Sequence, residues 1–79
     1  MKNELLLYTT LGCHLCEQAE ELINPLLTGS SWQLIKVDIA DSEELVASYG
    51  IKIPVVKNTK TNNELYWPFT SEQVQHFLY

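Results

Sequence analysis

The chain has 79 residues, 46% of them hydrophobic, which suits one small domain over residues 1–79. Ten acidic residues against five basic ones give a net charge of -5, which argues against a phosphate-binding surface and so against a nucleic-acid partner. Glu4 limits the first apolar run to residues 5–8, too short for a signal peptide or a membrane span, so we expect a cytoplasmic protein that does not engage membranes.

The first predicted elements are a strand, a tight turn and a helix. Residues 4–8 form a leucine-rich run, typical of a strand buried on both faces. Residues 9–12 form the turn, where Gly12 supplies backbone freedom, and the helix follows over residues 13–24. We expect Pro25 to end or kink this helix. The apolar stripe of the helix comprises Leu15, Cys16, Ala19, Leu22, Ile23 and Leu26.

A second strand and a second helix are predicted next. Residues 32–39 form the strand, which completes a parallel β-α-β unit with the first. Asp41 with Glu44 has the spacing of a capping box, so a helix is expected over residues 42–49 with Gly50 as its stop. The inward residues of this helix are predicted to be Leu45, Val46 and Tyr49.

The remaining chain predicts a hairpin and a last helix. Pro54 precedes a strand over residues 55–57, and a second strand over residues 64–67 should pair with it in antiparallel. Thr70 and Gln73 predict the cap of the last helix. Its sheet-facing residues are expected to be Val74, Phe77 and Leu78. The order β-α-β-α-β-β-α predicts an α/β fold, a four-stranded mixed sheet with helices on both faces.

The only two cysteines, Cys13 and Cys16, lie at the predicted start of the first helix. Free N–H groups and the helix dipole at that position favour a thiolate on Cys13, whereas Cys16 falls on the apolar stripe and should be buried. Such a pair can attack a disulfide and then resolve the mixed disulfide. The alternatives are a structural disulfide, a zinc site, and a metal or iron–sulfur site shared between chains. Within one chain, a zinc ion would have only His14 and His76 as histidine ligands besides the two cysteines. We therefore predict no metal.

With Cys13-His14-Leu15-Cys16 after the first strand and Ile53-Pro54 before the third, the chain resembles the thioredoxin fold and, in its smallest form, a glutaredoxin. The Cys-x-Leu-Cys motif and the Trp67-Pro68-Phe69 turn are most similar to small glutaredoxin-like proteins. The resemblance implies that Cys13 is the nucleophile, Cys16 the resolving thiol, and Pro54 cis, with the Ile53 backbone pairing with a bound peptide or glutathione.

The same resemblance supplies further candidate substrate-binding residues. Trp67 and Phe69 would form an apolar rim beside the cysteines, or else pack in the core. His14 would either favour the thiolate or merely flank the site in solvent.

The sequence therefore predicts a thiol–disulfide oxidoreductase, with a non-catalytic binding module or a redox or metal sensor as the alternative. The expected partner is a disulfide-containing protein or a small disulfide, together with a reductase, and the chain is expected to be a monomer without a cofactor. The resemblance to glutaredoxins suggests glutathione as the reductant. Two features argue against tight binding of glutathione. Many glutaredoxins carry a lysine shortly before the first cysteine, where this chain has Thr9-Thr10, and a glycine pair after the fourth strand, which segment 66–72 lacks.

Overall fold

The structure, a computed structural model, describes residues 3–78. Its elements in chain order are β1 (Asn3–Thr9), α1 (His14–Leu27), β2 (Trp32–Asp38), a 3₁₀ helix (Ile39–Asp41), α2 (Glu43–Tyr49), β3 (Val55–Asn58), β4 (Glu64–Tyr66) and α3 (Ser71–Leu78). The order agrees with the predicted β-α-β-α-β-β-α arrangement, with the 3₁₀ helix as an addition where the second strand was expected to continue through Ile39.

The four strands form one mixed sheet in the order β2-β1-β3-β4. β1 pairs in parallel with β2 and antiparallel with β3, and β3 pairs antiparallel with β4. Since β1 is flanked by strands on both sides and by helices on both faces, its leucine run has no polar face, which explains its near-continuous hydrophobicity.

Two apolar cores cover the two faces of the sheet. Leu5 and Leu7 of β1 point into the larger core, which α1 and α3 close, and Tyr8 points into the smaller one, which the 3₁₀ helix and α2 close. The larger core is made of Leu5, Leu7, Ala19, Ile23, Leu27, Trp32, Val56, Phe69, Val74 and Leu78.

Of the two predicted effects of Pro25, an end or a kink of helix α1, the end near Asn24 is wrong. The helix continues through that proline to Leu27, which is 7% exposed and belongs to the larger core. The proline removes one backbone hydrogen bond near the end of the helix, and the burial of Leu27 and the packing of Leu26 against the same core compensate for that loss.

The cap and the inner face of α2 also differ from the prediction. Ser42, not Asp41, is the N-cap: its hydroxyl accepts a hydrogen bond from the N–H of Leu45 at 3.3 Å. Asp41 instead lies in the 3₁₀ helix. Leu45 and Tyr49 pack against the smaller core, but Val46 is 47% exposed. By contrast, the predicted capping box of α3 is present, with Thr70 and Gln73 bonded reciprocally at 2.8 and 3.1 Å.

Candidate active site

The cysteine pair lies where β1 turns into α1. Gly12, with φ +80°, reverses the chain just before Cys13, and Cys13 takes extended backbone angles as the N-cap of α1. Its Sγ accepts a hydrogen bond from the N–H of Cys16 at 3.1 Å. An N-cap side chain accepts hydrogen bonds from amides that have no partner within the helix, so this sulfur occupies the position that best stabilises an anion.

Cys13 and Cys16 are joined by a disulfide, and their Cα atoms are 5.2 Å apart. Cys16 is 3% exposed and lies inside, whereas Cys13 is half-buried and reachable from solvent. The two sulfurs are therefore chemically unequal: one can meet a substrate, and the other is placed below it.

His14, the first residue of α1, lies at the outer surface. Its side chain is 88% exposed and its Nδ1 is 3.5 Å from Oε2 of Glu17, so the imidazole has a carboxylate partner when it is protonated. This position agrees with a residue that flanks the site in solvent.

An apolar groove includes Leu15, the residue directly before Cys16 in the sequence. It encloses about 470 Å³ and is lined by Leu15, Ile51, Lys52, Ile53, Tyr66 and Trp67. Ile51 is 99% exposed, and Leu15, which the helical pattern had placed inward, is 45% exposed. The Nζ of Lys52 lies 5.8 Å from the centre of the Tyr66 ring. Exposed aliphatic and aromatic side chains grouped in this way are typical of a binding surface.

The peptide bond between Ile53 and Pro54 is cis, as the resemblance implied. Pro54 itself is fully buried. The N–H of Ile53 donates to the carbonyl of Tyr49 at 3.2 Å, so it is already engaged within the protein.

Phe69 does not line the groove: of the two alternatives that the sequence left open for it, packing in the core is the one that the structure has, and a place in the substrate-binding rim is wrong. It is 4% exposed, belongs to the larger core, and meets Trp67 edge-on with ring centres 5.0 Å apart. Trp67 is half-buried and does line the groove. Phe69 thus supports Trp67 from within the core.

A second cavity, the acidic cavity, is lined by both cysteines and measures about 360 Å³. It is lined by Leu7, Thr9, Thr10, Leu11, Gly12, Cys13, Cys16, Glu17, Glu20, Lys36 and Asp38. Glu20 and Lys36 form an ion pair across it, with Nζ and Oε2 3.2 Å apart. Sequence reasoning did not single out these two residues, because only the folded structure brings α1 and β2 together at this point.

A cluster of two tyrosines and a glutamate supports the groove from β4. Glu64 accepts hydrogen bonds from the hydroxyls of Tyr49 and Tyr66, the latter at 2.8 Å. The bond from Tyr49 is the main cause that lowers the pKa of Glu64; burial opposes this shift, and the bond from Tyr66 adds to it. The same two bonds raise the pKa of Tyr49 and of Tyr66.

Residues 3–78 contain neither a metal-binding cluster nor a membrane-spanning helix. No group of three or more His, Cys, Asp or Glu side chains is arranged to hold a metal ion within that range. No helix in that part of the chain is long and apolar enough to cross a membrane.

The family model of the glutaredoxin-like domain (DUF836) matches residues 4–79. This chain belongs to that glutaredoxin-like family. No curated protein matches it.

Solved structures agree with the assignment to the glutaredoxin-like family. A crystal structure of a structural-genomics target protein from X. campestris is 34% identical, with a TM-score of 0.81, and the match covers 94% of this chain and 93% of that one. A solution NMR structure of a protein from Nitrosomonas europaea is 26% identical, with a TM-score of 0.83, over 100% of this chain and 94% of that one.

A mutant thioredoxin from Halobacterium salinarum is 15% identical, with a TM-score of 0.73 over 95% of this chain and 70% of that one, a likeness of fold alone. The glutaredoxin-like protein therefore has an α/β thioredoxin-like fold. Its fold, its family and its cysteine pair together indicate a redox role.

Proposed function

We propose that this glutaredoxin-like protein is a thiol–disulfide oxidoreductase that exchanges the dithiol of Cys13 and Cys16 with a disulfide or mixed disulfide. The observation that carries the proposal is the position of Cys13 as the N-cap of α1, with its Sγ 3.1 Å from the N–H of Cys16. Reduction of the internal disulfide leaves a thiolate at Cys13 that this amide and the helix dipole stabilise.

The reaction transfers two electrons from the dithiol to the substrate. The Cys13 thiolate attacks one sulfur of the substrate disulfide, forms a mixed disulfide and releases the first substrate thiolate. Cys16 then attacks the Sγ of Cys13, closes the internal disulfide and releases the second substrate thiolate. The burial of Cys16 directs initial attack to Cys13, and the 5.2 Å separation of their Cα atoms lies within the range that a disulfide spans.

The substrate in this proposal is an extended, disulfide-bearing protein segment that lies in the apolar groove. An N–H of the segment would donate to the Ile53 carbonyl, while an apolar side chain next to its cysteine would contact Ile51 and Trp67. His14 and Pro54 would lie beside the bound segment. The proposed reaction uses no cofactor. A reductase or glutathione would regenerate the dithiol in the reducing cytoplasm, where we place the protein as a monomer.

The test is the reduction of a disulfide-bonded model protein and of a small glutathionylated peptide by purified protein. We expect turnover by the wild type, none by Cys13→Ser, and a single unresolved mixed disulfide on Cys16→Ser. Turnover by Cys13→Ser at the wild-type rate contradicts the proposal.

A binding module that uses the same groove is the second candidate, favoured by the near-complete exposure of Ile51. Alkylation of the reduced protein by iodoacetamide separates the two functions. An oxidoreductase should be alkylated at Cys13 at pH values where a free cysteine thiol, with a pKa of about 8.5, is still protonated. Alkylation that follows the free thiol, without turnover, favours the binding module.

A further inference from the structure

Among residues 3–78, Lys52 is the one charged residue that lines the apolar groove. Its Nζ lies 5.8 Å from the centre of the Tyr66 ring, within the range of a cation–π contact, so the ammonium is held over a groove-lining side chain. No carboxylate in the described part of the chain forms an ion pair with this ammonium. The groove therefore presents a positive charge to which no carboxylate of residues 3–78 is bonded.

The carboxylate of the adjoining cluster, Glu64 on β4, already has other partners. Its Oε1 accepts the hydroxyl of Tyr66 at 2.8 Å, and its Oε2 accepts the hydroxyl of Tyr49. These bonds hold in place the ring over which Lys52 lies. The cluster thus positions the lysine while its own carboxylate is engaged by the two tyrosines, which leaves the ammonium for a ligand.

The other polar groups near the groove are engaged within the protein. The N–H of Ile53 donates to the carbonyl of Tyr49 at 3.2 Å, and the hydroxyl of Tyr66 donates to the glutamate described above. The remaining surface is largely apolar, and Ile51 is 99% exposed. An apolar surface with one free ammonium suits a ligand that combines an apolar group with one carboxylate.

The acidic cavity, which both cysteines line, has the opposite charge. Three carboxylates and one ammonium line it: Glu17, Glu20, Asp38 and Lys36. A carboxylate on a substrate would be repelled there and attracted by Lys52 in the groove. The net charge of -5 repels a partner that is acidic throughout, so the charges favour a single acidic residue within an apolar segment.

We propose that Lys52 determines substrate specificity by selecting protein segments in which an apolar residue and one Asp or Glu lie close to the reactive cysteine. The apolar side chain would lie against Ile51 and Leu15, and the carboxylate would accept hydrogen bonds from the ammonium of Lys52. The inference rests on the proposed oxidoreductase function and names the chemistry of its substrate. Lys52 takes no part in the exchange of sulfur bonds.

The test measures attack by the reduced protein on short peptides whose single cysteine carries a thiopyridyl group through a disulfide. The Cys13 thiolate bonds to the peptide sulfur, the bond to the pyridyl sulfur breaks, and the released thiopyridone absorbs near-ultraviolet light. Each peptide has leucine next to its cysteine and, one position further, glutamate, glutamine or lysine. Placing this pair before or after the cysteine covers both directions in which the segment can lie.

The matched control for Lys52 is Lys60. It is exposed in the turn between β3 and β4 and does not line the groove, so its substitution changes the net charge equally without changing the groove. Lys52→Gln is therefore compared with Lys60→Gln, and Lys52→Glu with Lys60→Glu. An unchanged rate of Lys52→Gln with the glutamine peptide shows that the variant still forms the site.

In one of the two placements, we expect the wild type to react about threefold faster with the glutamate peptide than with the glutamine peptide, as an exposed charge pair allows. The lysine peptide should be slower than both. Lys52→Gln should bring the ratio close to one, Lys52→Glu should reverse it, and both Lys60 variants should keep it. The wild-type ratio should fall towards one in about 1 M salt. Ile51→Ser should slow attack on all the peptides alike, because they lose an apolar contact.

The outcomes that overturn the inference differ from those that overturn the proposed function. If the wild type reacts equally with the three peptides in both placements, or if Lys52 and Lys60 variants change the ratio equally, Lys52 does not select the substrate and the oxidoreductase proposal stands. The same holds if Ile51→Ser leaves every rate unchanged, because the peptides then do not lie in the groove. If the wild type releases no thiopyridone, or Cys13→Ser releases it as fast, the proposed function fails and the inference fails with it.

Discussion

At the scale of single residues, Glu64 connects two parts of the molecule that carry the groove. Its carboxylate accepts hydrogen bonds from Tyr49 at the end of α2 and from Tyr66 on β4. The ring of Tyr49 also stacks on that of Tyr8, with centres 4.3 Å apart. One carboxylate therefore fixes both the groove-lining Tyr66 and the end of the helix that leads into Ile51.

Glu64→Gln should lower the free energy of unfolding by about 1 kcal/mol at neutral pH, because hydrogen bonds to a charged acceptor are lost. The folded pKa of Glu64 lies below its ordinary value, so its contribution is present above that ordinary value and is lost as the pH falls through the lowered one. The difference between variant and wild type should therefore shrink in acid. Urea unfolding at neutral pH and at about pH 3 measures it.

Glu21→Gln is the matched control, since Glu21 is exposed and we expect only a small effect at either pH. An equal loss in the control, or a Glu64→Gln difference that grows in acid, contradicts the prediction. At the alkaline end the sign is reversed: Tyr49, whose pKa is raised, contributes stability below the ordinary tyrosine value of about 10 and loses it as the pH rises through the raised one.

Residue-level roles were only partly predictable. The positions of Cys13 and Cys16 follow from local rules, because a cysteine just before a helix becomes its cap and one on the apolar stripe turns inward. Leu15 lies at the edge of that stripe, so the helical period alone could not decide between core and surface. The burial of Phe69 could not be predicted for another reason: it lies between β4 and α3, outside any helix or strand, and it becomes buried only in the assembled larger core.

At the scale of elements, the start of α2 depends on one hydroxyl. Ser42→Ala should cost about 1 kcal/mol of unfolding free energy, since it leaves the N–H of Leu45 without its cap. Asp41→Ala changes the neighbouring residue, which is not the cap, and should cost much less. Chemical denaturation of both variants tests this, and a larger loss for Asp41→Ala would restore the capping box that the sequence suggested.

Helix α1 should gain stability when Pro25 is replaced. Pro25→Ala supplies the missing backbone N–H within the helix and removes the steric conflict of the ring, so we expect a gain of about 1 kcal/mol or more. The gain is smaller than the difference in helix propensity between proline and alanine, because alanine also increases the conformational entropy of the unfolded chain. Asn24→Ala, at the exposed preceding position, should change stability by only a few tenths of a kcal/mol. A destabilised Pro25→Ala protein would show that the helix depends on its proline.

These two elements also show why boundaries were harder to predict than the elements themselves. Asp41 and Glu44 have the spacing of a capping box, but Asp38 starts a 3₁₀ helix that occupies Asp41 and shifts the cap by one residue. Pro25 is a strong local signal, yet burial of Leu27 outweighs it. In both cases a tertiary or neighbouring contact decided between two locally acceptable structures.

At the scale of the whole molecule, the net charge of -5 should bias the choice of small substrates. We expect cystamine, a cationic disulfide, to be reduced faster than oxidised glutathione, an anionic one, at low salt. The ratio should fall towards its high-salt limit as the ionic strength passes about 0.1 M, where the screening length is about 10 Å. Hydroxyethyl disulfide is the neutral control, and its rate should hardly depend on salt.

The charge prediction has a clear contrary outcome: a ratio that does not respond to salt means that local contacts, not the overall field, select the substrate. At this scale the mixed four-stranded sheet with helices on both faces was predictable, because the order of elements and the hydrophobic pattern leave few topologies. The apolar groove was not, because Leu15, Ile51 and Tyr66 belong to three separate parts of the chain whose meeting only the folded structure reveals.

The short distance between the two cysteines has a consequence for finding natural partners. The Cα atoms are 5.2 Å apart, so in the proposed reaction Cys16 would quickly resolve any mixed disulfide that Cys13 forms with a partner, and the complex would not accumulate in wild-type cells. Cys16→Ser removes the thiol that resolves the mixed disulfide, so the complex between Cys13 and its partner should become stable enough to isolate. Such complexes would be purified under non-reducing conditions, and a reductant would then release the bound partners. The released proteins would identify the cysteines that react with Cys13.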